Sequence, residues 1–148
     1  LFVRTPDSRF NLANFMRTHL YSSLATLKIG LDILFKEEGV TLDNLMGHGG
    51  LFKTPGVAQR YLAAAAHTAV TCTETAGEGG PYGMALLAAY RVEHADGETL
   101  ANYLQNRVFA DAASTTLNPD AADEAGFAAF LKEYKKALCA ERTAVETM

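Results

Sequence analysis

With 148 residues, 49% of them hydrophobic and 20% charged, the chain has the make-up of one soluble globular domain that buries roughly two thirds of its unfolded surface, neither disordered nor membrane-embedded. The formal net charge is −4 and the 13 Lys and Arg residues stand in ones and twos, so no basic stripe faces a nucleic-acid backbone or an anionic membrane, and no apolar run is long enough to span a bilayer. The two cysteines, Cys72 and Cys139, lie far apart without C-x-x-C spacing, which argues against a disulfide framework or zinc knuckle and fits a reducing compartment, with the cytoplasm as the expected location.

The opening LFVRTPDSRF has neither an initiator Met nor the apolar core of a signal peptide, and reads as a start inside a longer chain. Leu12, Phe15, Met16, Leu20, Leu24, Leu27, Leu31, Leu34 and Phe35 then recur at spacings of three and four. They predict an amphipathic helix from about Asn11 to Glu38, stopped by Gly39 and about 40 Å long at roughly 1.5 Å per residue. Asp43 to Met46 reads as a short buried strand leading into Gly47-His48-Gly49-Gly50. Thr54 is suited to cap the next helix through its hydroxyl, Pro55 suits the first helical position, and the alanine-rich stretch to Ala66 favours helix. Thr68 to Glu74, TAVTCTE, alternates and is rich in β-branched residues, which predicts a second strand. AGEGGP reads as a glycine loop, and Pro81 opens a helix carrying Leu86, Leu87 and Tyr90. Beyond EHADG the pattern predicts helices alone, Glu98 to Phe109 and Asp120 to about Glu141, with Asn118 and Pro119 as cap and first-turn residue of the second.

Helices alternating with two strands and two glycine loops predict an α/β fold with right-handed crossovers onto a parallel sheet. Two strands leave an unpaired parallel edge, to be covered by further chain, a partner copy or the LFVRT segment. In open α/β sheets ligands sit at the carboxyl ends of strands, and both glycine loops fall at such ends. Gly47 to Gly50 offers a bare backbone floor for a flat ring or a ribose, with Gly77 to Gly83 beside it. The competing reading is that these glycines only tighten turns and let helices pack closely. GHGGLFKT is one glycine short of the phosphate-binding G-x-x-x-x-G-K-T, but Phe52 stands where the backbone must wrap the phosphates, so that reading ranks lower. Neither loop carries G-x-G-x-x-G, which disfavours a dinucleotide-binding turn.

Through these residues the chain resembles the carboxy-terminal domain of the FGGY carbohydrate kinases, in the actin-like ATPase superfamily. The resemblance runs through nearly the whole chain. NFMRTHLYSSLATLKIGLDILFKEEGV is similar to the family's helix before its adenosine segment. Gly49, Gly50 and Gln59 stand as the family's Gly-Gly pair and the Gln nine residues after the second Gly. Gly83, Met84 and Ala85 stand at its Gly-Ala-Ala helix start, and LNPDAADEAGFAAFLKEYKKAL is similar to its closing Pro and aromatic-rich helix. The Gly-Gly-Leu form looks closest to the pentulose kinases, xylulokinase and ribulokinase-like enzymes foremost. Three departures stand out: Ala63 replaces an acidic residue the family often carries, Met84 replaces an Ala, and the loop before Gly83 is longer and richer in glycine.

The resemblance implies a ribonuclease H-like, actin-like ATPase half-domain: α/β, with an incomplete sheet, long helices and an α-helical C-terminal tail. Its core would span 1–95, and 96–148 would form the tail packed on the same domain. It implies ATP and Mg as cofactors and transfer of the γ-phosphate to a pentulose hydroxyl. The catalytic base and most of the sugar site would belong to an amino-terminal domain with no counterpart in this chain, so the fragment alone is expected to bind nucleotide weakly and phosphorylate nothing. Gly49 and Gly50 are expected under the adenosine, with Thr54 as a polar contact at the helix start, while Gln59 is expected to pack or to bond to the loop. No catalytic residue and no metal ligand is assigned within the chain.

Expected partners are ATP or ADP and a sugar, with a homodimer left open and neither nucleic acid nor membrane expected. His48 reads as a surface hydrogen-bonder, with ligand contact as the lesser alternative; Lys53 reads as a solvated cation, with a phosphate contact as the lesser alternative; and Glu74 and Glu78 read as solvated loop carboxylates, with contact to a ribose or metal-bound water as the lesser alternative. His19, His67 and His94 share no metal-ligand spacing with one another or with Cys72, and KEYKK at 132–136 is a mixed-charge helix face. A reading of a different class is a noncatalytic α/β-helical interaction module that keeps the fold without the nucleotide.

Overall fold

The computed structural model describes residues 1–148 and contains, in chain order, α1 (Leu12–Lys36), β1 (Asn44–Met46), α2 (Val57–Ala66), β2 (Ala69–Thr73), α3 (Gly79–Glu93), α4 (Leu100–Tyr103), β3 (Ser114–Leu117) and α5 (Ala121–Glu146). Single 3₁₀ turns, Gly50–Lys53 and Ala76–Glu78, follow β1 and β2, and a π turn, Leu104–Val108, continues α4.

The predicted first helix is present. Asn11 caps it, its Oδ1 accepting from the Asn14 N–H at 2.8 Å. At the other end the N–H groups of Glu37 and Glu38 both reach the Ile33 carbonyl, and Gly39 turns the chain out at φ 64°, a conformation open to glycine at little cost.

The start of α2 differs from the expectation. Thr54 caps no helix and Pro55 is not its first residue: α2 begins at Val57, after Gly56 at φ 76°, with no side-chain cap. The 3₁₀ turn uses up the chain through Lys53, and a left-handed residue must then redirect it, so the local Thr-Pro signal loses to the glycine. The second glycine loop is also partly helical. Gly79 and Gly80 are the first residues of α3, two positions ahead of Pro81.

β1 and β2 pair in parallel, Leu45 opposite Val70, as expected of strands joined through a helix, but β1 is not the buried strand expected: Asn44 and Met46 are exposed, and only Leu45 is half-buried. The helical tail needs correction. Ser114–Leu117 forms β3, antiparallel to β2, with Cys72 opposite Thr115 and Val70 opposite Leu117. The sheet is therefore three-stranded in the order β1-β2-β3, and the β2 edge is covered by the chain itself, through β3 and not through the LFVRT segment. The predicted helix from Glu98 is shortened to α4 and its π turn, capped by the Thr99 hydroxyl at 3.2 Å from the Asn102 N–H. The last helix is capped by Asp120, not by Asn118 and Pro119: its Oδ1 accepts from the N–H groups of Ala122 and Asp123.

α2 lies between the sheet and the two long helices. Its buried residues, Ala58, Gln59, Leu62 and Ala63–Ala66, run almost continuously, and small side chains let α1, α5 and β2 approach it together. The core joins Tyr21 and Leu24 of α1, Leu62, Ala63 and Ala65 of α2, Val70 of β2 and Phe127 of α5. Tyr21 meets Tyr61, Phe127 and Phe130 edge-on, each with ring centroids 5.3 Å apart. Ala63 is 0% exposed within this core, so an acidic side chain at that position would be buried among apolar neighbours. Arg60 pairs with Asp123, and His67 Nδ1 lies 2.7 Å from Glu124, tying both ends of α2 to the first turn of α5.

On the other face of the sheet, the Thr71 hydroxyl bonds to Asn44 Oδ1 at 3.1 Å and to the Thr116 hydroxyl at 2.7 Å, a polar chain across all three strands. No helix of the chain is long and apolar enough to cross a membrane.

Candidate functional site

The two glycine loops lie side by side at the carboxyl ends of β1 and β2. Gly47 N–H continues the parallel ladder to the Thr71 carbonyl at 2.8 Å, and Gly49 N–H donates to the Ala76 carbonyl at 2.7 Å. Gly49 holds φ 106° with ψ 178°, a region essentially restricted to glycine.

Much of the bareness in these loops serves the protein itself. A β-carbon on Gly47 would lie 2.7 Å from Phe52 Cδ1, one on Gly79 would lie 2.7 Å from His48 Cβ, and one on Gly77 would lie 3.0 Å from Lys53 Cγ. Each loop thus leaves room for side chains of the first loop and its 3₁₀ turn, and the two interlock. Gly49 and Gly50 are different: a β-carbon on either would meet nothing within 4 Å, so open space lies above them.

Between the loops and the start of β3 is a cleft of about 500 Å³, lined by residues 52–56, Gln59, 72–78 and 113–115. Such a volume lies within the range of small-molecule sites, roughly 300–1,000 Å³. Thr54 is on its wall, despite capping no helix, whereas Gly49 and Gly50 sit beside it on the first loop and do not line it. Seven of the sixteen residues on the wall bear a hydroxyl or are glycine: Thr54, Thr73, Thr75, Ser114 and Thr115 with the glycines at 56 and 77. The sequence pattern does not predict β3, whose only signal is the β-branched pair Thr115-Thr116.

Gln59 is 3% exposed and stands at the back of the cleft. Its Nε2 donates to the carbonyls of Val70 and Thr115, 2.7 Å each, and its Oε1 accepts from the Thr115 hydroxyl at 3.4 Å. Both ends of the amide are used within the protein, so Gln59 clamps β3 to β2. The expected hydrogen bond exists, but to the strands and not to the loop.

Lys53 and Glu78 are not simply solvated. Lys53 Nζ and Glu78 Oε1 are 2.5 Å apart, joining the two 3₁₀ turns at the cleft wall. Glu74 lines the same cleft. His48 makes no side-chain hydrogen bond, and its β-carbon packs over Gly79. Burial pushes the Cys72 thiol up, opposed by a backbone hydrogen bond at Gly47. No three His, Cys, Asp or Glu side chains gather into a metal-holding group.

Comparison with known proteins adds one match. Residues 1–92 match the profile of the FGGY family of carbohydrate kinases, C-terminal domain. No curated protein and no solved structure matches the chain.

Proposed function

Because the chain belongs to the FGGY family of carbohydrate kinases, matching their C-terminal domain over residues 1–92, we propose that it is the ATP-holding part of a sugar kinase, an actin-like ATPase half in which Gly49, Gly50 and Thr54 border the nucleotide. The observation that carries this reading is the cleft of about 500 Å³ at the carboxyl end of β2, with five hydroxyl-bearing residues on its wall and the open glycine pair on the neighbouring loop. Thr54 would offer a hydroxyl to the ligand from the cleft wall, and Gly49 and Gly50 would leave the neighbouring floor free of β-carbons. The β3 segment, which follows the matched residues, contributes Ser114 and Thr115 to the same wall.

Phosphoryl transfer asks little covalent chemistry of a protein: the donor, the metal and the acceptor hydroxyl must be held in line and kept from water. In this proposal the chain fixes the nucleoside end, through a loop pair made rigid by the Gly49–Ala76 hydrogen bond and by the Phe52 and His48 side chains packed on Gly47 and Gly79. Mg²⁺ would arrive on the phosphates and neutralise their charge. The acceptor, its general base and the closing motion would come from the amino-terminal domain implied by the family resemblance. The Gly49-Gly50-Leu51 form supports a pentulose as acceptor, of the xylulose or ribulose kind.

Calorimetric titration tests the binding. ATP and ADP are expected to bind weakly, and both Gly50→Val, which blocks the open loop, and Ser114→Trp, which fills the cleft, are expected to abolish it. No heat with either nucleotide at millimolar concentration would overturn the proposal and favour an interaction module that keeps the fold alone. With the intact kinase, phosphorylation of xylulose or ribulose ahead of glycerol tests the acceptor.

A further inference from the structure

We infer that Lys53 is the phosphate-reading cation of this cleft and that Glu78 is its resting counter-ion, displaced when a nucleotide binds; the inference rests on the nucleotide reading given above. Among the residues lining the cleft there is one cation, Lys53, against two carboxylates, Glu74 and Glu78. Lys53 comes from the turn after β1 and Glu78 from the turn after β2, so their 2.5 Å contact spans the two loops that would flank the ligand. The lysine stem is guided as well as its head. Its Cγ lies 3.0 Å from where a β-carbon on Gly77 would stand, so glycine at 77 gives the stem room over the second loop, and a side chain there would make it shift by a few tenths of an ångström.

The chemistry favours exchange. Both partners are well exposed, at 58% and 67% of their side chains, and an exposed ion pair of this kind contributes little to folding. A phosphate oxygen in place of Glu78 Oε1 would keep the charge-assisted hydrogen bond to Nζ and add a second negative charge for it to neutralise. Glu78, once released, remains at the rim and repels an unmetallated polyphosphate, so the pair also selects for a nucleotide whose charge is already reduced.

Titration of adenosine, ADP and ATP into the chain and its variants tests this. Lys53→Gln is expected to weaken ADP and ATP about tenfold, the loss of one charge-assisted hydrogen bond, and to leave adenosine unchanged. Glu78→Gln frees the lysine and is expected to tighten ADP two- to threefold at roughly the scale of an exposed pair, again without effect on adenosine. Circular dichroism melts of both variants, expected to match the parent, separate a lost contact from a lost fold. If the parent binds ADP and Lys53→Gln binds it equally well, the role of Lys53 is overturned while the site stands. If the parent binds neither nucleotide nor nucleoside, the site itself is overturned, and the inference with it.

Discussion

The Phe52 ring lies over Gly47 so closely that a β-carbon on the glycine would sit 2.7 Å from Phe52 Cδ1 and 2.8 Å from Cζ. Phe52 packs in turn against the core, so the first glycine of the loop is reserved for a side chain of its own protein.

From this contact, Gly47→Ala is expected to cost about 1–3 kcal/mol, the usual penalty for forcing atoms into filled space. Gly50→Ala, where nothing lies within 4 Å, is expected to stay within about 0.5 kcal/mol of the parent. Urea midpoints measure both. In a Phe52→Ala background the Gly47 change should cost much less, and an undiminished cost there would show that the ring is not the cause.

Gln59 clamps two strands through one amide, so exchanging its donor for an acceptor is the sharpest test. Gln59→Glu brings a carboxylate oxygen against the Val70 and Thr115 carbonyls and is expected to destabilise by about 2–3 kcal/mol near neutral pH. Amide exchange should rise first in β3, the strand that the clamp secures. A variant melting with the parent would mean that β3 is held by its ladder alone.

Asp32 sits between Lys28 at 2.9 Å and Lys36 at 3.1 Å on successive turns of α1. Removal from water, the largest single influence, pushes its carboxyl up, but hydrogen bonds from both lysines and their charges together hold it below its ordinary value. The unfolded chain then takes up the proton more readily than the folded one. The pairs therefore stabilise the fold above about pH 4, and this contribution fades as pH falls through the lowered folded value. Asp32→Asn is expected to be about 1 kcal/mol less stable near neutral pH, with the gap closing in acid. A gap that persists unchanged down to about pH 2 would contradict the assignment.

The two thiols should react at separate rates. Cys139 is exposed on α5, whereas Cys72 lines the cleft, half-buried, with its thiol pushed up by burial. Since the thiolate is the nucleophile, a disulfide reagent at mildly alkaline pH is expected to modify Cys139 first and Cys72 in a slower phase. Saturating ADP should slow the second phase and leave the first alone. Protection of Cys139 instead would move the ligand away from the cleft.

Several elements were legible because their signals are local. Asn11 and a run of leucines at helical spacing mark α1, and β-branched residues between Thr68 and Glu74 mark β2. β3 was not legible: all four of its residues are exposed, so no alternation of apolar and polar positions announces it. It exists because β2 offers a ladder and Gln59, 56 residues before Thr115, offers an amide. The capping signal of Thr54 failed for the complementary reason, a 3₁₀ turn and Gly56 having redirected the chain before α2 could begin.

By itself, then, the amino-acid order determined where the long helices and first two strands lie, that two glycine-rich loops follow those strands, and which family the pattern belongs to. Only the tertiary structure decided what each glycine is for, that a third strand walls the cleft, and that Lys53 meets Glu78. Spacing and propensity act over a few residues, whereas a filled corner, a paired edge or a counter-ion depends on which distant segments the packed core brings within a few ångströms of one another.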